Sequence, residues 1–339
     1  MQKTAVIYYF TGTGNAFRLA NQSANELRTA GYTVIVADIA GKNRNVKAVI
    51  PPEHANAELI GIISAVYGFG LPQLTAKFLR NMPKSKLGKK CFVFIASAGN
   101  EGVCVLQAAI HLKLKGYKLI FARTFTLVSN WIMFETLPDK ETQDKIFAQS
   151  DTLMKEYMKS LIEGGKSVVY SRSNILLVAV FAVVYPLFVF FGRQFLGKMF
   201  TVNNKCNACK YCYNHCPSKT IKWLGHRPYW GWNCQQCFRC INLCPTGAIE
   251  VSVIAILALI IGAVAGPIIF LKFVPNELLD YTGVLKPFLE NIAVLHLIFA
   301  IIAMWLMQIL LANKVIAKLF PSWYVTKNKP RYKEPHFRP

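Results

Sequence analysis

Two cysteine runs of the same spacing constrain this chain more than any other feature. Cys206, Cys209, Cys212 and Cys216 stand ahead of Pro217, and Cys234, Cys237, Cys240 and Cys244 stand ahead of Pro245. Both read C-x2-C-x2-C-x3-C-P, the spacing that wraps cubane iron–sulfur clusters. Three thiolates offset by three residues on a tight loop close over one face of a [4Fe–4S] cube, while the cysteine before the proline points away toward a second cube. The expected ligand sets are therefore crossed: Cys206, Cys209 and Cys212 with Cys244, and Cys234, Cys237 and Cys240 with Cys216. Structural zinc uses paired C-x2-C elements across a longer spacer and has no use for a third cysteine at this offset. A disulfide framework needs an oxidising compartment, and no cleavable signal peptide is recognised ahead of these runs.

The N-terminus carries a second redox signature. Ala5–Phe10 is a short apolar, aromatic-rich run that reads as a buried strand, followed by Thr11, Gly12, Thr13, Gly14, Asn15 and Ala16 and an amphipathic helix near Ala16–Ala30. A strand, a Gly-rich turn and a helix N-terminus make an anion cradle from backbone N–H groups and the helix dipole. No Gly-Lys-Ser/Thr follows, and Phe17 stands where a dinucleotide fingerprint wants its third glycine. Hydroxyl and amide donors without a lysine suit a single phosphomonoester. The segment resembles the flavodoxin phosphate loop, and that resemblance implies FMN.

Further strands are expected at Thr33–Ile39, Leu59–Ser64, Phe92–Ser97 and Lys118–Thr126 with helical stretches between them, a repeated βαβ pattern with a parallel sheet. Five strands fit an α/β flavodoxin-like doubly wound fold, whose ligand lies at the carboxyl ends of the strands. The loops expected there are Ala65–Pro72, with Tyr67 and Gly68 offering an aromatic face to a flavin ring, and Ala98–Gly102, with Gly99 and Asn100 offering amides to its polar edge. Asn130 and Trp131, after the fifth strand, are a further candidate wall. Cys91 and Cys104 read as small buried hydrophobes.

Taken together, residues 1–250 resemble the flavodoxin–ferredoxin fusions called ferrodoxins, of the EFR type. The resemblance implies an electron carrier or electron-delivery module with FMN and two [4Fe–4S] clusters. The implied organisation is a flavodoxin-like domain (1–168), an apolar helical linker (169–200) and a small α+β two-cluster ferredoxin domain (201–250). A transmembrane helical hairpin (251–313) and a basic cytoplasmic tail (314–339) depart from the simple two-module pattern. A flavin-dependent reductase of a quinone or small organic acceptor, and a subunit of a larger membrane complex, are the alternatives.

Val251–Leu271 and Ile292–Ala312 are each long enough, at ~1.5 Å per residue, to cross a ~30 Å hydrocarbon core. The one ionisable residue in either is His296, a candidate for a quinone contact or a helix-pair hydrogen bond. Ile175–Phe191 is shorter, carries Pro186, and is flanked by Arg172 on one side and Arg193 and Lys198 on the other. Were it to span, the flavin and the clusters would be on opposite faces, so an interfacial or re-entrant helix is expected. Basic segments flank every apolar stretch, placing both redox domains and the tail at the cytoplasmic face of a cell membrane.

With 39 Lys and Arg against 17 Asp and Glu, the net charge is +22. Between the first and last cluster ligands lie Lys210, Lys219, Lys222, Arg227 and Arg239 with no carboxylate, which raises cluster potentials and attracts anionic surfaces. Membrane lipid and an acidic redox partner both suit that charge. Nucleic acid is not expected, because no binding motif accompanies it.

Overall fold

The computed structural model describes residues 3–41, 50–275, 282, 286–289, 291–313, 315 and 323–339. Most of the loop expected between the two spans, including Glu277 and Asp280, and Lys314 and Lys318 of the tail lie outside the described residues.

The N-terminal domain is a parallel sheet of β1 (Thr4–Phe10), β2 (Thr33–Asp38), β3 (Leu59–Ala65), β4 (Lys90–Ser97), β5 (Lys118–Thr126) and a two-residue β6 (Ser167–Val168), in the order β2-β1-β3-β4-β5-β6. The first five strands have the flavodoxin-like order 2-1-3-4-5. Strands buried on both faces read as continuous apolar runs, and β1 shows why. Val6, Tyr8 and Phe10 enter the core on one side, while Ala5, Ile7 and Tyr9 enter the core on the other. The first core packs under α2 (Gln73–Asn81) and α3 (Cys104–Leu114), the second under α1 (Asn15–Thr29) and α4 (Lys140–Ile162). Cys91 and Cys104 are fully buried in the first core, as their apolar surroundings in the sequence suggest.

Helix α5 (Ile175–Leu187) continues through a π-helical turn (Phe188–Gly192) into α6 (Arg193–Lys198), giving one 24-residue apolar helix, Ile175–Lys198. It is thus longer than the Ile175–Phe191 stretch read from the sequence. Pro186 lacks an N–H for the helix ladder, and the ladder widens just beyond it. The helix touches the flavodoxin-like domain along its length. Asn100 donates to Ser173 at its start (2.8 Å), the rings of Phe181 and Phe69 stack at 4.3 Å, and Tyr185 Oη donates to the Leu71 carbonyl (2.6 Å). At its far end Arg193 donates to the Cys234 carbonyl (2.8 Å).

The cysteine-rich domain holds two small antiparallel pairs, β7 (Phe200–Val202) with β10 (Ile249–Val251) and β8 (Ile221–Leu224) with β9 (Arg227–Trp230), plus the one-turn helices α7 (Tyr211–Asn214) and α8 (Arg239–Asn242). From it run α9 (Val253–Phe273) and, after the short α10 (Lys286–Leu289), α11 (Ile292–Ala312). Gly262 and Gly266 let the two long helices approach: a Cβ at either would collide with Ala303 or Phe299. His296 Nδ1 bonds the Ala263 carbonyl, so this histidine joins the helix pair. Gln308 pins α11 to the domain beneath, donating to the Lys198 and Phe200 carbonyls and accepting from Trp230 N.

The C-terminal segment, expected as a basic tail, folds back as a strap. Tyr324 bridges Ser252, Arg331 pairs with Glu250 at 3.0 Å, and Lys329 reaches the Ile132 carbonyl. The amide of Glu334 then donates to the Thr13 carbonyl (2.9 Å), and Phe337 is fully buried beside Phe17. Both ends of the α9–α11 pair therefore return to one body.

A buried histidine ties the sheet to its flank. His54 Nδ1 lies 2.8 Å from Tyr8 Oη and Nε2 lies 2.7 Å from Tyr117 Oη, which itself donates to the Pro83 carbonyl. This chain of donors fixes a neutral ring with its proton on Nε2, and burial pushes the His54 pKa down. A histidine with a lowered folded-state pKa contributes stability that is whole above its unfolded pKa of about 6.5 and is lost as pH falls below it, by at most about 1.4 kcal/mol per pH unit. Thermal midpoints recorded from pH 7 to pH 5 should fall for the native chain and fall less steeply for His54→Gln.

Candidate flavin and iron–sulfur sites

At the carboxyl ends of β1, β3, β4 and β5 lies a cavity of about 260 Å³. Of the residues expected to hold a flavin, Thr11, Gly12, Thr13, Asn15, Tyr67, Gly68, Gly99 and Asn100 line it. Gly14 and Ala16 do not. Gly14, with φ of +120°, turns the chain into α1, and Ala16 is buried beneath the loop. Trp131 forms a wall, as its place after β5 suggests. Asn130 lines it beside Trp131, as the sequence reading of that pair expects, whereas sequence reasoning missed Phe188 and Gln236, which belong to other segments entirely.

The loop has its carbonyls tied outward. Arg239 donates from Nη2 to the Thr11 carbonyl (2.8 Å) and from Nε to the Gly12 carbonyl (3.2 Å), and the Thr13 carbonyl is held by Glu334 N. Gly14 N donates to Thr11 Oγ1 (3.0 Å), Asn130 donates to Thr13 Oγ1 (3.0 Å), and Asn15 Nδ2 reaches the Val128 carbonyl (2.7 Å). Among the described residues, Asn15 Oδ1 and Gln236 Oε1 are buried without a hydrogen-bond partner. A lysine-free cradle at a helix N-terminus, in which the Thr11 and Thr13 hydroxyl oxygens accept from Gly14 N and Asn130 and keep their own protons to donate, fits a phosphomonoester. FMN would suit this site, with Thr11, Gly12, Thr13 and Asn15 at its phosphate and the loops at Tyr67 and Gly99 along its ring.

Two flavin-loop expectations need adjustment. Tyr67 is almost wholly buried with its ring edge-on to Phe10, so it is as much core as wall, and burial pushes its hydroxyl pKa far up. In the second loop, Gly99 N already donates to Ser97 Oγ and Gly102 N to Asn100 Oδ1. Glu101, buried, accepts from Arg172 Nε at 3.0 Å, and this pair fastens the linker to the loop.

The two cysteine runs fold alike. Ala208 and Lys210 in the first, and Gln236 and Phe238 in the second, have positive φ at matching positions. These left-handed turns by residues other than glycine tighten each loop around its thiols. A small recess is lined by Cys206, Cys209, Cys212 and Cys244 together, with Lys210, Trp223 and Pro228 at its margin. Cys234, Cys237, Cys240 and Cys216 are mutual neighbours in the other group. A four-iron cube is wider than one ion, and among the described residues no three Cys, His, Asp or Glu side chains converge on a single-ion site. His215 Nδ1 bonds the Tyr211 carbonyl at 2.9 Å and its ring stacks on Tyr211, so the local helix holds it.

The two sites abut. A Cβ on Gly12 would collide with the Cys237 carbonyl, and Asn130 Nδ2, in the cavity wall, lies 3.4 Å from that same oxygen. Cys234 and Cys237 are buried, whereas Cys209 is exposed.

Residues 198–245 match the 4Fe-4S dicluster domain family. Solved structures similar to the N-terminal part include a short-chain flavodoxin associated with a bacterial microcompartment (15% identity, 48% of this chain and 99% of that one, TM-score 0.34). A flavodoxin from the domain Archaea gives 16% identity over 46% of this chain and 99% of that one, with a TM-score of 0.31. The flavodoxin of Streptococcus pneumonia TIGR4 gives 17% identity over 47% and 99%, with a TM-score of 0.32. No curated protein matches the chain. A dicluster iron–sulfur domain beside a flavodoxin-like fold supports an electron-transfer role.

Glycine substitutions separate the cradle from the cavity. Gly12→Ala should lower FMN affinity at least about tenfold, equivalent to about 1.4 kcal/mol, because Cys237 and Tyr67 must both move. At Gly99 a Cβ meets no protein atom within 4 Å. Gly99→Ala should therefore leave the thermal midpoint of flavin-free protein unchanged while weakening FMN binding, measured by flavin fluorescence titration.

Proposed function

We propose that the protein is a membrane-anchored electron-transfer protein in which FMN, held in the β1–β3–β4–β5 cavity, exchanges electrons with two [4Fe–4S] clusters. The observation that carries this reading is the contact of Gly12, in the phosphate loop, with the Cys237 carbonyl in the second cysteine run. No bilayer or solvent layer lies between the two sites. FMN supplies two-electron chemistry in single steps and each cluster one-electron chemistry, so their pairing makes a two-to-one electron converter.

The chain's own residues set the order of the centres. Cys234, Cys237, Cys240 and Cys216 hold the cluster beside the flavin, with Cys234 and Cys237 on its buried side. Cys206, Cys209, Cys212 and Cys244 hold the outer one, whose ligand Cys209 is exposed beside Lys205 and Lys210. An acidic carrier protein suits that edge by charge. Arg239, 2% exposed between the phosphate loop and the second run, places a fixed positive charge at the inner cluster and favours its reduced form.

Three helices are long and apolar enough to cross a membrane: Ile175–Lys198, Val253–Phe273 and Ile292–Ala312. The return of both ends of the α9–α11 pair to one body supports a hairpin that crosses and comes back. The docking of Ile175–Lys198 along the flavodoxin-like domain supports an interfacial helix in place of a third crossing. Basic flanks favour the cytoplasmic side for both redox domains.

Protein purified without oxygen should carry one FMN and about eight iron atoms per chain; zinc without iron would end this reading. Cys216→Ser should abolish the EPR signal of the cluster on Cys234, Cys237 and Cys240 and spare the other, and loss of the first-run cluster instead would refute the crossed ligands. Reporter fusions after Glu250 and after Pro339 should both be active only with a cytoplasmic reporter.

A further inference from the structure

The α2–α3 side of the flavodoxin-like domain has a surface that electron transfer does not explain. On α3, Leu106, Ile110 and Leu114 follow one another at four-residue steps, and all are exposed. Leu87, in the turn before β4, is 92% exposed and Leu114 is 73% exposed. A soluble domain rarely leaves so many large apolar side chains together in water. Around them stand Lys77, Arg80, Lys84, Lys86 and Lys113, all exposed. From Leu59 to Phe134 the chain has ten Lys or Arg and one carboxylate, Glu101, which is buried against Arg172. The face is thus apolar at its centre and predominantly positive around it, the exposed Glu53 of the turn before β3 being the carboxylate nearest to it in the fold.

This face is continuous with the Ile175–Lys198 helix. Val103, just before α3, donates its amide to the Phe69 carbonyl, and the Phe69 ring stacks on Phe181. Gln107, one residue from Leu106, accepts from Leu71 N, and the Leu71 carbonyl accepts from Tyr185. On that helix Phe181, Tyr185 and Phe188 form the protein-facing stripe. Leu176, Val180, Val183, Leu187 and Phe190 form an exposed stripe away from it.

We propose that the α3 stripe, its basic surround and the outward stripe of the Ile175–Lys198 helix form one docking face for an anionic lipid bilayer. The proposal rests on the reading of α9–α11 as a membrane anchor. Its chemistry is that of an interfacial element: apolar side chains enter the headgroup–acyl boundary while lysines and arginines pair with lipid phosphates. An acidic protein would satisfy the charge but would leave the apolar face of the neighbouring helix, continuous with α3, in water. Docking holds the flavodoxin-like domain on its α2–α3 side, so that the loop at Tyr67–Leu71, pressed under the helix, lies beside the lipid surface.

The test uses the full chain in nanodiscs of phosphatidylcholine alone, or with phosphatidylglycerol, and in detergent, followed by amide hydrogen exchange and limited trypsin cleavage. In phosphatidylglycerol discs, exchange over 104–114 and cleavage at Lys84, Lys86 and Lys113 should slow at least about tenfold relative to detergent, and high salt should reverse part of this. The triple variant K84E/K86E/K113E should lose that protection while Val253–Phe273 stays protected. Full exposure of 104–114 in every disc, with Val253–Phe273 protected, would overturn the proposal and leave the anchor intact. Failure of Val253–Phe273 to be protected would instead overturn the anchor itself. Protection by an added acidic carrier protein in detergent, with none on either bilayer, would assign the face to a protein and overturn the lipid proposal.

Discussion

The guanidinium of Arg239 is the point on which the two redox domains turn. It sits three residues after Gln236 and one before Cys240, is 2% exposed, and donates to two successive carbonyls of the phosphate loop, those of Thr11 and Gly12. A buried charge is tolerated only when its donors are met. Here the loop carbonyls, the His215 carbonyl at 3.4 Å and the face of Phe337 meet them. The planar fork matters, because a lysine's single ammonium would not hold two adjacent carbonyls in one geometry. Turning those carbonyls toward Arg239 takes two acceptors out of the cradle, where they would repel an anion. One side chain therefore shapes the anion cradle and fixes the second cysteine run against it.

Everything around this junction reduces its freedom to open. The C-terminal strap crosses from the cysteine-rich domain at Tyr324 to the phosphate loop at Glu334, and buries Phe337 against Phe17. On the opposite flank, the Ile175–Lys198 helix runs from Asn100 to the Cys234 carbonyl and inserts Phe188 into the cavity wall. Two flexible domains joined by a linker would meet only part of the time. With the strap and the helix both crossing between them and Arg239 at the junction, the distance between the flavin-site cavity and the inner cysteines is set by packing, and the electron exchange proposed above would need no domain movement. The same rigidity extends toward the hydrophobic helices, since Gln308 bonds the backbone at Lys198, Phe200 and Trp230.

Much of this was legible in the sequence because its signals are local. Cysteine spacing sets which thiols can share a loop, and the C-x2-C-x2-C arcs at Cys206 and Cys234 fold as two copies of one turn. The apolar runs of β1, β3 and β4, broken by Gly-rich turns, specify a parallel sheet covered on both faces, and five such strands fit the doubly wound fold whose order the sheet then shows. Ile292–Ala312 was bounded to the residue, because its apolar run begins directly after Asn291, whose side chain caps the helix.

What the sequence could not decide is which distant groups meet. Nothing local says that Arg239 will satisfy Thr11 and Gly12, 228 and 227 positions away, that Gln236 and Phe188 will wall the flavin cavity, or that a tail read as a basic extension will strap two domains. Those outcomes follow from burial, which makes each carbonyl find a donor and each apolar face find cover once the domains are brought together. Hydropathy also misjudged the middle helix, because Pro186 and Arg193 suggested an end where tertiary contacts sustain the helix to Lys198. The chemistry of each centre was thus fixed by residue type and spacing along the chain, and the contact between centres by packing in three dimensions.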